Sequence, residues 1–100
     1  MSNVQDIFTK NRRLAILRFL AEDQDYSLNT SVLQSALEAI GHGVSRDTVE
    51  ADAAWLAEQG LATVEKLDNI PVTVLRISAR GMDVARGVAA HPGVDRPLPR

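Results

Sequence analysis

The chain has 100 residues, a formal net charge of −2 and no cysteine. This length is enough for one domain and too short for two. The absence of cysteine excludes disulfides and thiolate chemistry, and the net negative charge excludes an overall positive field that would draw the chain to nucleic acid or to an acidic membrane. Any contact with DNA must therefore come from a local basic patch.

Apolar residues recur at helical spacing in two stretches of the first half, which predicts helices over 4–22 and 31–40. Between these helices, residues 26–28 alternate briefly between polar and apolar and can form a short strand. Asn29 or Thr30 is suited to cap the second helix, and a glycine follows that helix where a left-handed residue is favoured.

A third helix is predicted over 46–59, with Ser45 as its N-cap. After it, the pattern changes to short β-rich runs that predict an antiparallel hairpin with strands at 62–67 and 72–77. A final helix over 79–89 follows. We expect the core to be formed by eight apolar residues: Leu17, Leu20, Leu33, Leu37, Val49, Leu56, Leu75 and Ile77.

The order of these elements predicts an α+β fold that is mostly α. Two helices joined by a tight turn and followed by a hairpin are typical of a winged helix-turn-helix domain, in which the hairpin loop is the wing. We place this domain at 1–90. The last ten residues, 91–100, hold three prolines and no periodicity, which predicts an extended, flexible tail.

Several segments carry a resemblance to known proteins. VSRDTVEADAAWLAEQGLATVE resembles the second helix of the helix-turn-helix and the first wing strand of bacterial winged-helix transcriptional regulators, and LRISARGMDVA looks like their last wing strand and C-terminal helix. The whole chain, including RRLAILRFLAED, YSLN and HPGVDRP, resembles a family of small proteins of Mu-like bacteriophages and their prophages. This resemblance implies a winged-helix fold and a DNA-binding role.

If the domain binds DNA as a transcriptional regulator, the start of the third helix would face the major groove. Ser45, Arg46 and Thr48 would then lie nearest the bases. Lys66 on the wing, and Arg12 or Arg13 in the first helix, would contact the DNA backbone.

Acidic residues of the third helix oppose this interpretation. Between Ser45 and Gln59, one arginine stands against four acids, which are Asp47, Glu50, Asp52 and Glu58. Acidic side chains this close to phosphates are repulsive. The alternative is a winged-helix module that binds a protein partner and not DNA, because an acidic helix suits a basic partner.

Trp55 can be interpreted in two ways. It is a partly exposed anchor for a partner, or, as we favour, it covers the edge of the core, for instance against the wing. A homodimer is a further expectation, with Met82, Ala85 and Ala89 as the contact stripe of the last helix.

We expect neither catalysis nor a cofactor or metal site. The two histidines, His42 and His91, are not at metal-ligand spacing with another ligand. Ser45 and Asp47 lie near His42, but a helix start already explains both residues. The chain start lacks the apolar core of a signal peptide, and no apolar run approaches the roughly 20 residues needed to span a bilayer. The expected location is the cytoplasm of a bacterial host.

Overall fold

Four helices and a three-stranded antiparallel sheet make up residues 3–98, the part of the chain that the computed structural model describes. In chain order these are α1 (Val4–Glu22), β1 (Ser27–Asn29), α2 (Thr30–Ala39), α3 (Arg46–Glu58), β2 (Ala62–Lys66), β3 (Thr73–Ile77) and α4 (Ala79–Ala85). About half of the chain is helical. The predicted α+β class is confirmed.

Each helix begins at a polar side chain that accepts a hydrogen bond from a backbone N–H of the first turn. Asn3 caps α1, Asn29 caps α2, Ser45 caps α3 and Ser78 caps α4. These caps satisfy backbone donors that have no partner inside the helix, which is why the predicted helix starts agree with the structure to within one residue.

The sheet has the order β1-β3-β2, so β3 lies in the centre. Leu75 of β3 pairs with Leu28 of β1 on one side and with Val64 of β2 on the other. The sequence predicted the β2–β3 hairpin, and the short strand at 27–29 completes the sheet. Along β3, alternate residues point inward, and Leu75 and Ile77 are buried as expected.

The core lies between α1, α2, α3 and the inner face of the sheet. All eight predicted core residues are buried. Leu61, Val84 and Val94 join them, and Val94 belongs to the segment that follows α4.

Helix α4 ends at Ala85, four residues earlier than predicted, and Gly87 follows in a left-handed conformation with φ of +79°. The contact stripe predicted for a dimer is largely used within the chain, since Ala85 is buried and Met82 and Ala89 pack against the core. Gly81 has a packing role in this helix: a Cβ there would lie 2.0 Å from the carbonyl oxygen of Leu61.

Residues 91–98 differ from the predicted flexible tail, because they pack back onto the domain. Val94 is only 4% exposed, and the backbone N–H of Asp95 donates to the carbonyl of Lys10 over 3.1 Å. The buried Val94 side chain and this backbone hydrogen bond are among the contacts that hold the segment on the domain. The last two residues of the predicted tail, Pro99 and Arg100, lie outside the described residues.

Candidate nucleic-acid interface

The turn over 40–45 sets the relative position of α2 and α3. Gly41 adopts φ of +96°, and the backbone N–H of His42 donates to the carbonyl of Leu37 over 2.8 Å. Gln34 then joins the two helices, because its side chain donates to the carbonyl of Val44 at 3.1 Å and accepts from Arg46 Nε at 2.9 Å. The start of α3 is therefore held against α2 by side-chain hydrogen bonds as well as by packing.

Ser45, Arg46 and Thr48 lie together at the exposed start of α3, as predicted. The Ser45 hydroxyl accepts the Thr48 backbone N–H at 3.2 Å and lies 3.1 Å from the Thr48 hydroxyl, so both hydroxyls take part in the helix cap. Arg46 is exposed, and its Nε donates the hydrogen bond to the side-chain oxygen of Gln34. Its two terminal nitrogens make no hydrogen bond to the described residues, which leaves them available for a ligand.

The hairpin and the start of α3 line a shallow, open cleft of about 360 Å³. Arg46 and Glu50 line the α3 side, and Lys66 lies on the hairpin side. The loop also contributes exposed apolar residues, including Ile70, at the rim. We call this the α3–hairpin cleft. It brings two of the predicted cations together with one carboxylate.

Arg12 is buried inside the protein. The prediction that it contacts the DNA backbone is therefore corrected. It is 7% exposed, and its guanidinium forms a two-pronged ion pair with the buried carboxylate of Asp52: Nε donates to Oδ2, and Nη2 donates to Oδ1 over 3.1 Å. Separating the two groups would leave an uncompensated charge buried in the core, which costs free energy. Asp52 is correspondingly not part of the acidic surface of α3.

Arg13 is also engaged within the chain. Its guanidinium carbon lies 3.7 Å from the centroid of the Trp55 ring, Nη1 donates to the carbonyl of Gly93 at 3.0 Å, and Nε lies 3.9 Å from Asp52. Burial lowers the pKa of Arg13, and the charge of Asp52 opposes that shift. Arg13 is therefore already engaged by other groups of the chain, which argues against its predicted contact with DNA.

Trp55 packs at the edge of the core. Its outer side is covered by the C-terminal segment and not by the hairpin. His91 meets it edge-on with ring centroids 5.2 Å apart, and Gly93 lies so close that a Cβ there would be 2.5 Å from the ring. Sequence reasoning missed this cluster of Arg13, Trp55, His91 and Gly93. The only sequence signal for it is the His-Pro-Gly turn after α4.

The two histidines have separate partners. His42 Nε2 lies 2.8 Å from Asn11 Oδ1, and His91 Nε2 lies 3.0 Å from Gln59 Oε1. Burial lowers the pKa of each, with smaller contributions from the positive charges of Arg12 on His42 and of Arg80 on His91. Within residues 3–98, no three His, Asp or Glu side chains come together as a metal site would require. In the same range, no helix is long and apolar enough to cross a membrane.

The structure thus defines a small α+β domain whose third helix and β-hairpin border one cleft. The chain is 50% identical over 97 residues to a protein of Escherichia phage Mu named "Uncharacterized protein gp26", a match that covers 97% of this chain and 98% of gp26. It is also 41% identical over 63 residues to an uncharacterized protein of Haemophilus influenzae, covering 63% of this chain and 61% of that protein. The chain belongs to the family of phage Mu gp26, which confirms the predicted resemblance to Mu-like phage proteins. No protein-family model matches the chain, and no solved structure matches it.

Proposed function

We propose that this chain is a winged helix-turn-helix DNA-binding protein of a Mu-like phage or prophage, acting as a transcriptional regulator. In this proposal α2, the turn over 40–45 and α3 are the helix-turn-helix, and the β2–β3 hairpin is the wing. The observation that carries the proposal is the α3–hairpin cleft, because the exposed start of α3 and the hairpin each bring a cation to it, Arg46 and Lys66.

The start of α3 would enter the major groove. The free terminal nitrogens of Arg46 suit the O6 and N7 acceptors of guanine, which a guanidinium contacts with two parallel hydrogen bonds. Lys66 would neutralise a phosphate, which positions the protein without reading sequence. Ser45 and Thr48 would keep the helix start rigid through the cap and offer their remaining hydrogen-bonding capacity to the groove.

Glu50 limits the affinity that this surface can have for DNA of any sequence. It lines the same cleft as Arg46 and Lys66 and would repel phosphate. Asp52 does not add to this repulsion, because Arg12 already pairs with it inside the protein. We therefore expect weak non-specific binding and a dependence on the Arg46 contact.

The test is a fluorescence-anisotropy titration on a random-sequence duplex and on duplexes selected from a random pool. Arg46→Ala is expected to cost about 1–3 kcal/mol on a selected site and to relax its sequence preference. Lys66→Ala should weaken binding to all sequences alike. Arg80→Ala is the matched control, because Arg80 is exposed on α4 and outside the cleft.

Glu50→Lys supplies the opposite test on the same duplexes, since it replaces the repelling charge with an attracting one. It should strengthen binding to random duplex. If the parent shows no binding and Glu50→Lys gains none, this surface does not meet DNA.

The outer face of α3 favours a second candidate, a protein-interaction module. Asp47 and Glu58 are exposed on that face, and the small residues Ala51 and Ala54 lie exposed between them. Small residues allow close approach of a partner, and the acids would suit a basic one. Under this alternative the parent would not bind DNA, and Glu58→Lys would weaken binding to a basic protein partner, measured by sedimentation.

A further inference from the structure

A second cleft, of about 760 Å³, lies between the C-terminal half of α1, the end of α4 and residues 96–98. Each of these three segments places one arginine in it: Arg18, Arg86 and Arg96. Glu22 is the one acid among the lining residues. We call this the arginine cleft. It shares no lining residue with the α3–hairpin cleft.

The three guanidinium groups have no ion-pair or hydrogen-bond partner among residues 3–98. Within residues 3–98 the ion pairs of the chain are those of Arg12 and Arg13 with Asp52. No side-chain nitrogen of Arg18, Arg86 or Arg96 donates a hydrogen bond to this part of the chain. By contrast, Arg76 donates to the Asp25 carbonyl.

The arginine cleft is positively charged, although the chain as a whole has a net negative charge. The chain has 13 acids and 11 Lys and Arg residues, yet three arginines face one acid in this cleft. Like charges around one concavity repel each other, and an anion bound between them would remove that repulsion. Guanidinium groups pair with phosphate through two parallel hydrogen bonds, which makes phosphate the best-matched anion.

We infer that the arginine cleft binds a small organic phosphate with at least two negative charges, of the nucleoside polyphosphate class. Its volume lies within the roughly 300–1,000 Å³ of small-molecule sites. Ala21, Pro97 and Leu98 give it an apolar wall on which a ring can lie. Its concave shape between two helices and the C-terminal segment suits a small ligand better than the backbone of a duplex. The inference is independent of the proposed DNA contact.

The experiment is isothermal titration calorimetry of the full chain with ATP, at low salt and without divalent cations. Adenosine, which lacks phosphate, is the control ligand. ATP is expected to bind and adenosine is not. Arg86→Gln and Arg96→Gln should each weaken ATP binding about tenfold, the usual loss for one charge-assisted hydrogen-bond partner. Both side chains are exposed, so these variants keep the core intact.

Two further variants make the test sharper. Glu22→Gln removes the one acid of the cleft and should tighten ATP binding. Arg80→Gln removes an exposed arginine from α4 but outside the cleft, and it should leave ATP binding unchanged.

The inference is overturned if ATP does not bind at millimolar concentration, or if Arg86→Gln and Arg96→Gln bind it as the parent does. It is also overturned if random duplex, and not ATP, loses affinity in those two variants, because the cleft would then serve a nucleic-acid backbone.

Discussion

The buried ion pair between Arg12 and Asp52 gives the sharpest prediction about what holds α1 to α3. Asp52→Ala would leave the Arg12 guanidinium buried without its two hydrogen bonds. Arg13 Nε, which is buried and has no hydrogen-bond partner in the described part of the chain, would lose the carboxylate 3.9 Å away. Breaking such a pair costs about 3–5 kcal/mol. That is a large part of the roughly 5–15 kcal/mol of unfolding free energy expected for a domain of this size.

The assay is equilibrium urea denaturation, followed by far-UV circular dichroism, of a double-mutant cycle. Arg12→Met should be costly because Asp52 then loses its two hydrogen bonds from Arg12. Arg12→Met combined with Asp52→Leu should cost much less than the sum of the single changes, since neither member of the Arg12–Asp52 pair is then buried without the other. Glu58→Gln is the control, an exposed acid of the same helix, and should stay within about 0.5 kcal/mol of the parent. Additive losses in the cycle, or an Asp52→Ala loss below about 1 kcal/mol, would refute the reasoning.

Two further predictions concern packing and pH. Gly81→Ala would place a Cβ 2.0 Å from the Leu61 carbonyl and should destabilise the fold by at least about 1–3 kcal/mol in urea denaturation, whereas Gly43→Ala, which meets nothing within 4 Å, should be nearly neutral. Burial lowers the pKa of His42 and His91 in the fold, so the unfolded chain binds more protons as the pH falls through about 6.5. The free energy of unfolding should therefore be highest above that pH and decline below it. If a variant with both histidines replaced by glutamine shows the same decline between pH 7.5 and 5.5, the histidines are not its cause.

The elements that the sequence predicted well are those fixed by local chemistry. Ser45 and Ser78 cap their helices by accepting first-turn N–H groups, which depends only on neighbouring residues. Each of α1, α2 and α3 has a single apolar face, and that face is the one that is buried. The same reasoning located the start of α3, which carries Arg46, and the hairpin, which carries Lys66.

What the sequence did not predict depends on contacts between distant residues. Arg12 and Asp52 are 40 positions apart, and each looks like an ordinary surface charge within its own helix. The packing of Gly93 on Trp55 is equally non-local, and three prolines made the segment look disordered. Periodicity reports which face of a helix is apolar. It does not report that a charge on the edge of that face has a partner across the core.

The ion pair also changes what the charge of α3 means for DNA binding. Asp52 is buried and paired with Arg12, and the α3–hairpin cleft itself contains two cations and one acid. Because Arg12 and Arg13 are engaged inside the chain, Lys66 is the candidate phosphate contact that remains from the sequence prediction, and Arg46, predicted to lie nearest the bases, is the other cation of the cleft. Each phosphate neutralised on a duplex contributes about −0.9 to the slope of log K against log salt. If these two cations carry the binding, the slope measured by anisotropy between 50 and 200 mM salt should be no steeper than about −2. A slope of about −4 or steeper would require cations outside this cleft, and would place the DNA on a different surface of the protein.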